Sequence, residues 1–220
     1  MDGATIQAKV YAGLAKAAQR IGQTFDVFRP VGATAPLALM NRLYSLQAAF
    51  DSSPGWKFSK ANEYGDPLWY PVMDASQVNV GDYMTGNGSI YFIAGKQFLL
   101  PALAVECNRC LKLTRQIAVT AVGAVGYGGN VPATASDLLG AGATANYWPC
   151  SILLGGKGMQ EANLPASTRE KGWMILLPGS IPVAPMYSDI LTDDLGHRYA
   201  IEAAEQTDLG WRINATEVHS

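Results

Sequence analysis

The sequence predicts a mainly β fold of the α+β type, in which an N-terminal amphipathic helix precedes two small antiparallel β-sandwich or β-barrel units. Three observations predict it. Residues 81–97 read GDYMTGNGSIYFIAGKQ, and residues 188–211 read SDILTDDLGHRYAIEAAEQTDLGW. Both segments place alternating apolar positions on either side of a polar turn that contains glycine, which is the pattern of a β-hairpin. Between residues 4 and 21, by contrast, apolar residues recur at steps of three and four, as on an amphipathic helix.

The two hairpin segments also resemble each other residue by residue. With a single-residue slip in the turn they share five pairs: Asp82/Asp189, Thr85/Thr192, Gly88/Gly196, Tyr91/Tyr199 and Ile93/Ile201. Two explanations stay open, since any two hairpins with Asn/Asp-Gly turns look alike and an internal duplication would look the same. In either case we predict that residues 188–201 form one antiparallel hairpin and residues 81–93 another.

The helix carries its apolar side chains on one stripe, which includes Ile6, Val10, Leu14 and Ile21. Gly22 is a natural residue for its C-terminal cap. An amphipathic helix must bury its stripe on something. Its own β unit and a neighbouring subunit are both possible.

The rest of the chain divides by composition. We predict a helix and arm over residues 1–30, a first β unit over 31–116, an Ala/Gly-rich linker or extended loop over 117–147, and a second β unit over 148–220. Within the first β unit, residues 37–50 fit a short helix or an extended segment. The apolar stretch from Phe98 to Gln116 fits one or two buried strands.

Composition limits the classes of function. Only 15% of the 220 residues are charged, against roughly 25% in an ordinary soluble domain, so part of the surface is expected to be covered by other subunits. The net charge is -2 and basic residues are scattered, which argues against sequence-specific binding of nucleic acid. The sequence also has no apolar stretch long enough for a membrane span and no signal peptide at its start.

Residues that could carry catalysis or bind a metal are scarce. Cys107 and Cys110 form a CxxC pair, but residues three apart on a strand point to opposite faces. Asp193 and Asp194 fit a hairpin turn better than a catalytic carboxylate pair. Gly155-Gly156-Lys157 lacks the Ser or Thr of a phosphate loop. We therefore predict no catalytic residues, no metal and no cofactor, and the chain is not expected to be an enzyme.

Charged residues on predicted strands suggest where subunits could meet. Arg198, Arg212 and Arg109 lie on such strands, as does Glu205. These side chains belong either to solvated faces or to ion pairs between subunits. The candidate subunit-interface residues are accordingly Ile6, Val10, Leu14, Arg109, Arg198 and Arg212.

Several stretches together resemble a known group of proteins. They are DVFRP after the YAGLAKAAQRIG helix, NRLYSLQAAF, GDYMTGNGSIYFIAGKQFLLPALAVECNR, and DILTDDLGHRYAIEAAEQTDLGWR. They resemble uncharacterised virion structural proteins of tailed bacteriophages and prophages, and the last hairpin is similar to units of small β-barrel head-to-tail connector and tail proteins. The resemblance covers most of the chain except the Ala/Gly-rich middle.

The resemblance implies a structural role in the virion, at the head-to-tail neck or the tail/baseplate junction. It implies a homo-oligomeric ring that joins other neck or tail proteins, and assembly of the virion in the host cytoplasm. The alternative from the residues alone is a β-sandwich binding module for a glycan or protein ligand, in which exposed tryptophans grip the ligand. A tail-associated hydrolase is a third possibility, and the missing catalytic set argues against it.

Overall fold

The computed structural model describes residues 2–57, 62–63, 65–117, 134–155 and 172–218. Helix α1 (Gly3–Ile21) comes first. Six strands follow it: β1 (Gln23–Phe28), β2 (Arg42–Asp51), β3 (Leu68–Met73), β4 (Tyr83–Gly86), β5 (Ser89–Gly95) and β6 (Leu103–Cys107). Seven more complete the order: β7 (Arg109–Ile117), β8 (Thr134–Leu139), β9 (Trp148–Leu154), β10 (Gly172–Leu177), β11 (Ile190–Asp193), β12 (Arg198–Thr207) and β13 (Gly210–Glu217).

The strands form a closed barrel and a second sheet, all paired antiparallel. The first barrel has the strand order β1-β2-β3-β6-β5-β4, with β4 returning to β1. The second sheet has the order β11-β12-β13-β10-β9-β7-β8, and a further pairing of β11 with β7 joins six of its strands into a ring. The predicted fold class, mainly β with an N-terminal helix and two antiparallel units, is confirmed.

Helix α1 begins and ends at capping residues. The Asp2 side chain accepts a hydrogen bond of 3.0 Å from the backbone N–H of Thr5, which satisfies one free amide of the first turn. At the other end, the N–H of Gly22 donates to the Ala18 carbonyl over 2.7 Å. The helix lies against β2 and β3 of the first barrel. The helix therefore packs at least in part on its own β unit, which is one of the two predicted packing partners.

Both predicted hairpins are present, and their registers correspond. Strand β4 pairs with β5 so that Met84 lies opposite Tyr91, and β11 pairs with β12 so that Leu191 lies opposite Tyr199. The turn glycines Gly88 and Gly196 both have positive φ, +78° and +88°, which glycine adopts without steric cost. The residue pairs shared in the sequence thus occupy equivalent positions.

The correspondence extends beyond the hairpins to the whole strand arrangement. The β1–β2 pairing has a bulge between Val27 and Phe28, and the β7–β8 pairing has one between Leu113 and Thr114. A second pair of bulges interrupts β5–β6 after Ile93 and β12–β13 after Ile201. In this correspondence β8 and β9 together take the place of the long strand β2.

An ion pair between Arg29 and the buried carboxylate of Asp82 stabilises the first of the two repeats. The Arg29 guanidinium donates from Nε to Asp82 Oδ1 over 2.8 Å and from Nη2 to Oδ2 over 2.7 Å. Asp82 Oδ2 also accepts the backbone N–H of Asn79 over 2.8 Å, and Arg29 Nη2 lies 3.5 Å from the carbonyl of Gln77. We call this arrangement the Arg–Asp clamp, because it ties the end of β1 to the loop that leads into β4.

The second repeat contains the same clamp, and its backbone partners have the same sequence offsets from the aspartate. Arg115 donates from Nε and Nη2 to the two oxygens of Asp189, both over 2.7 Å. Asp189 Oδ2 accepts the N–H of Met186 over 2.8 Å, and Arg115 Nη2 donates to the Ala184 carbonyl over 2.9 Å. The backbone donor and the backbone acceptor stand three and five residues before the aspartate, as Asn79 and Gln77 do before Asp82.

The structure distributes the strands differently from the predicted boundaries. Strand β1, which falls in the predicted arm 1–30, belongs to the first barrel. The predicted linker 117–147 includes β8, a strand of the second sheet, because β7 supplies a pairing edge that composition does not reveal; residues 118–133 of that linker lie outside the described residues. Residues 37–50 form a short 3-10 turn (Leu39–Asn41) and then most of β2.

The junction between the two repeats is a single residue, Asn108, between β6 and β7. Its side chain exchanges two hydrogen bonds of 2.8 Å with the backbone N–H and carbonyl of Ile152 in β9. Its own N–H donates to the Cys150 carbonyl over 3.1 Å. Because the connection is short and bonded on both sides, the first barrel is held directly against β9.

Two apolar clusters form the core. One fills the first barrel and includes Phe25, Val27, Met84, Tyr91 and Ile93. The other joins the outward-facing residues of β4, β5 and β6 to the inside of the second sheet, and contains Tyr83, Phe92, Val105, Trp148, Leu113, Leu191 and Ile213 among others. The Tyr83 hydroxyl donates to the Pro149 carbonyl over 2.8 Å across this contact.

The clamps predict matched losses of stability. Asp82→Asn and Asp189→Asn each remove a nearly fully buried carboxylate charge from a paired arginine, and each is expected to lower the free energy of unfolding by about 2–3 kcal/mol. Urea denaturation measures the loss.

The matched control is Asp26→Asn, because the Asp26–Arg42 pair is partly exposed on both sides. It is expected to cost clearly less than either clamp substitution, because solvent screens an exposed pair. A clamp substitution no more costly than this control would contradict a structural role for the clamps.

Candidate assembly surface

The polar cluster that most resembles a catalytic site is the β11–β12 turn, in which Asp193 accepts hydrogen bonds from the backbone. Asp193, fully buried at the end of β11, accepts backbone N–H groups of Leu195 and His197 over 3.0 and 2.8 Å. Its second oxygen lies 3.6 Å from Arg109 Nη2 and 3.4 Å from His197 Nδ1. Burial, and next the charge of Asp193, raise the pKa of Tyr199 well above its usual range. The geometry agrees with the prediction of a turn.

The three cysteines are free thiols in apolar surroundings. Cys150 is fully buried, while Cys107 and Cys110 are half-buried on β6 and β7. Burial raises the pKa of the Cys107 and Cys150 thiols well above their usual range, and desolvation raises that of Cys110. Within the described part of the chain, no group of three or more His, Cys, Asp or Glu residues is placed to hold a metal ion. Lys157 and His219 lie outside the described residues.

The tryptophans pack inside the molecule. Trp148 is fully buried and donates its indole N–H to the Ala33 carbonyl over 2.8 Å. Trp69 donates to Glu106 over 2.8 Å. Trp56, Trp173 and Trp211 are only partly exposed. The five tryptophans therefore do not form a row of exposed indoles on which a glycan could stack.

The predicted interface residues fall in different places. Arg109 lies within 3.7 Å of Asp194 and 3.6 Å of Asp193, and Arg212 bonds Glu205 on the neighbouring strand over 2.5 and 3.0 Å. Arg198 is exposed on β12. Arg109 and Arg212 thus have acidic neighbours inside the same chain.

The predicted apolar residues of α1 lie together, but only in part against the barrel. Ile6 and Val10 are 39% and 37% exposed, Ile21 is more exposed, and Leu14 is half-buried. The side of the helix that faces the barrel is instead centred on the buried residues Gln7 and Ala18. Much of the apolar stripe is therefore open to solvent.

The loop between β5 and β6 extends this apolar surface. Phe98, Leu99 and Leu100 are 62%, 43% and 55% exposed. The Leu99 N–H donates to Gln7 Oε1 over 2.5 Å, and Lys96 Nζ lies 5.4 Å from the centre of the Tyr11 ring, so the loop is tied to the helix. A groove of about 480 Å³ separates Phe98 from the small side chains of Ala4, Ala8 and Ala12. We call α1 and residues 98–100 the helix surface.

A second exposed apolar group stands at the tip of the β1–β2 loop. Leu39 and Met40 are 84% and 89% exposed. The loop below them is well anchored, since Asn41 Nδ2 donates to the carbonyls of Ala35 and Pro36, both over 3.1 Å. The tip therefore presents two large apolar side chains from a fixed backbone.

Part of this surface differs from the prediction. One or two buried strands over Phe98–Gln116 is correct for β6 and β7 and wrong for Phe98–Leu100, which are exposed. An apolar run alone does not separate buried residues from an uncovered patch. The available signals were the preceding Gly-Lys-Gln and the following proline, which favour a loop.

The outer faces of the two repeats differ in polarity. Tyr83, Phe92 and Val105 face outward from the first barrel and are buried against the second sheet. By register their counterparts are Ile190, Ala200 and Thr216, all half-buried. Next to these stand Arg198 and Glu202, the latter hydrogen-bonded to Thr216. The apolar contact that the first barrel makes with the second sheet therefore has no equivalent on the outer face of the second sheet, within the described residues.

Helix α1 and the first barrel cover equivalent surfaces. The helix lies on β2 and β3, next to the β5–β6 loop. In the second sheet, β9 contacts β6 of the first barrel, and the β12–β13 turn lines a cleft with Phe92 and Leu103. That apolar cleft, of about 450 Å³, lies between the two repeats. A thin helix therefore stands where the second sheet has a whole barrel, and it leaves more apolar surface uncovered.

No family model matches the sequence, and no curated protein or solved structure is significantly similar to it. None of the helices in the described ranges is long and apolar enough to cross a membrane.

The thiols predict a graded chemical reactivity. Because alkylation requires the thiolate, the raised pKa values should make all three cysteines slow to react with iodoacetamide at pH 8, and the fully buried Cys150 should be the slowest. Mass spectrometry of peptides after timed labelling gives the three rates. Labelling in urea is the control, and equal rates for the three cysteines in the folded protein would contradict the burial order.

Proposed function

We propose that the chain is a structural component of a tailed-phage virion that forms or joins a ring at the head-to-tail neck or the tail/baseplate junction. It acts by oligomerisation and docking, has no catalytic role, and reaches the virion by assembly in the host cytoplasm. The observation that carries the proposal is the helix surface, an apolar surface mounted on a rigid two-repeat body. The resemblance of the hairpins to head-to-tail connector and tail proteins is the reason for proposing a tailed-phage virion.

Rigidity supports an architectural role. The one-residue junction at Asn108 and the shared core leave the first barrel little freedom relative to β9. A subunit that holds neighbours at defined angles needs this property, since a closed ring forms only when the same rotation repeats at each contact.

Exposed apolar groups support docking to protein. The helix surface and the Leu39–Met40 tip lie at separate places in the sequence and both face solvent. A ring requires two different complementary patches on each subunit. A net charge of -2 also suits a wall past which DNA slides, because such a wall has little attraction for phosphate.

Assembly is tested by measuring the mass of the purified full chain at several concentrations with analytical ultracentrifugation. We expect a closed oligomer, or a monomer that is recruited into a ring by neck or tail proteins of the same phage. Leu39→Ser with Met40→Ser should weaken that assembly without unfolding the chain, because both side chains are largely exposed.

Leu195→Ser is the matched control, since Leu195 is 62% exposed in the β11–β12 turn and belongs to neither apolar group. It should leave assembly unchanged. A monomer that binds no phage protein and binds a glycan saturably would overturn the structural role in favour of the binding module.

A further inference from the structure

The open stripe of α1 has the spacing of a helix–helix contact. Ile6, Val10, Gly13 and Ala17 follow one another at steps of four, three and four residues. This alternation is the seam by which two helices pack with their side chains interleaved. The seam lies beside the barrel-facing residues Gln7 and Ala18, and its two large members are more than a third exposed.

Gly13 lies in the middle of the seam and is exposed. A Cβ atom built on Gly13 would meet nothing within 4 Å among the described residues. Glycine in a helix interior is unfavourable because it increases the entropy lost on folding. No contact in the described part of the chain explains that cost, whereas a helix packing closely against the seam would need a small residue at this place.

One flank of the seam is basic. Between Gly3 and Ile21 the charged residues are Lys9, Lys16 and Arg20, with no aspartate or glutamate. On a helical wheel all three lie on the same side, next to the seam and away from the barrel. Flanking charges decide which helices pair and in what orientation, so this flank favours an acidic partner.

We infer that α1 docks an amphipathic helix of another protein, one with an apolar seam and acidic residues along its flank. The inference deepens the proposed docking role and rests on it. Two α1 helices would lack complementary charges in either orientation, because α1 contains no acidic residue. The α1 helix of a second copy is therefore the disfavoured occupant of the seam, and the test includes it as an outcome.

Binding is tested with a synthetic fluorescent peptide that forms a helix with leucine at the seam positions and glutamate at the flanks. The full chain is titrated into it and the anisotropy is followed. We expect saturable binding that weakens as salt is raised, and at least about tenfold weaker binding of the same peptide with lysine at the flanks. Equal affinity for the two peptides, or no binding of either, would overturn the inference.

Two substitutions at Gly13 separate docking from folding. Gly13→Ala should raise the midpoint of thermal unfolding, because alanine favours the helix, and yet weaken peptide binding. Gly13→Leu should abolish binding by filling the space that the partner needs. Gln19→Leu, an exposed position on the far side of the helix, is the control and should leave binding unchanged.

Unchanged affinity in Gly13→Leu would overturn the inference, as would dimerisation of the chain through α1 that these substitutions disrupt. Failure here can be told from failure of the proposed function. If rings form but the acidic peptide does not bind, only the inference about a partner helix is contradicted. If the peptide binds but the chain never assembles with phage proteins, only the proposed virion role is contradicted.

Discussion

Two buried carboxylates hold the architecture together. Asp82 and Asp189 each accept two bonds from an arginine at the end of a strand and one from a backbone N–H three residues earlier. A buried charge of this kind is tolerated only when it is fully paired, so the arginine, the loop and the hairpin must be in place together. The clamp therefore fixes the loop before β4 and before β11 in the same conformation, and the hairpins follow in the same register.

The two repeats differ on their outer faces although their clamps are alike. Where the first barrel presents Tyr83, Phe92 and Val105, the second sheet presents Ile190, Ala200 and Thr216. The large side chains bury against the second sheet and make a rigid pair of repeats. The smaller and more polar ones leave a face that tolerates water.

Helix α1 closes the first barrel only in part. It lies on β2 and β3, strands equivalent to those beside which the first barrel lies on the second sheet. Ile6, Val10 and residues 98–100 remain exposed. Exposed apolar surface that is contiguous and mounted on fixed backbone is characteristic of a protein-binding site. The low charge content of the sequence is consistent with such a site.

The sequence by itself determined the hairpins, the helix and the absence of a recognisable catalytic motif, because alternation, turn glycines and helical spacing are local properties. The shared pairs, from Asp82/Asp189 to Ile93/Ile201, already pointed to two similar units. Only the tertiary structure decided that Arg29 and Arg115 complete the clamps, since each lies 53 or 74 residues from its aspartate. It also decided that β8 belongs to the second sheet and that Phe98–Leu100 face solvent. Pairing and exposure depend on what the fold brings alongside a segment, and a segment's own composition does not contain that information.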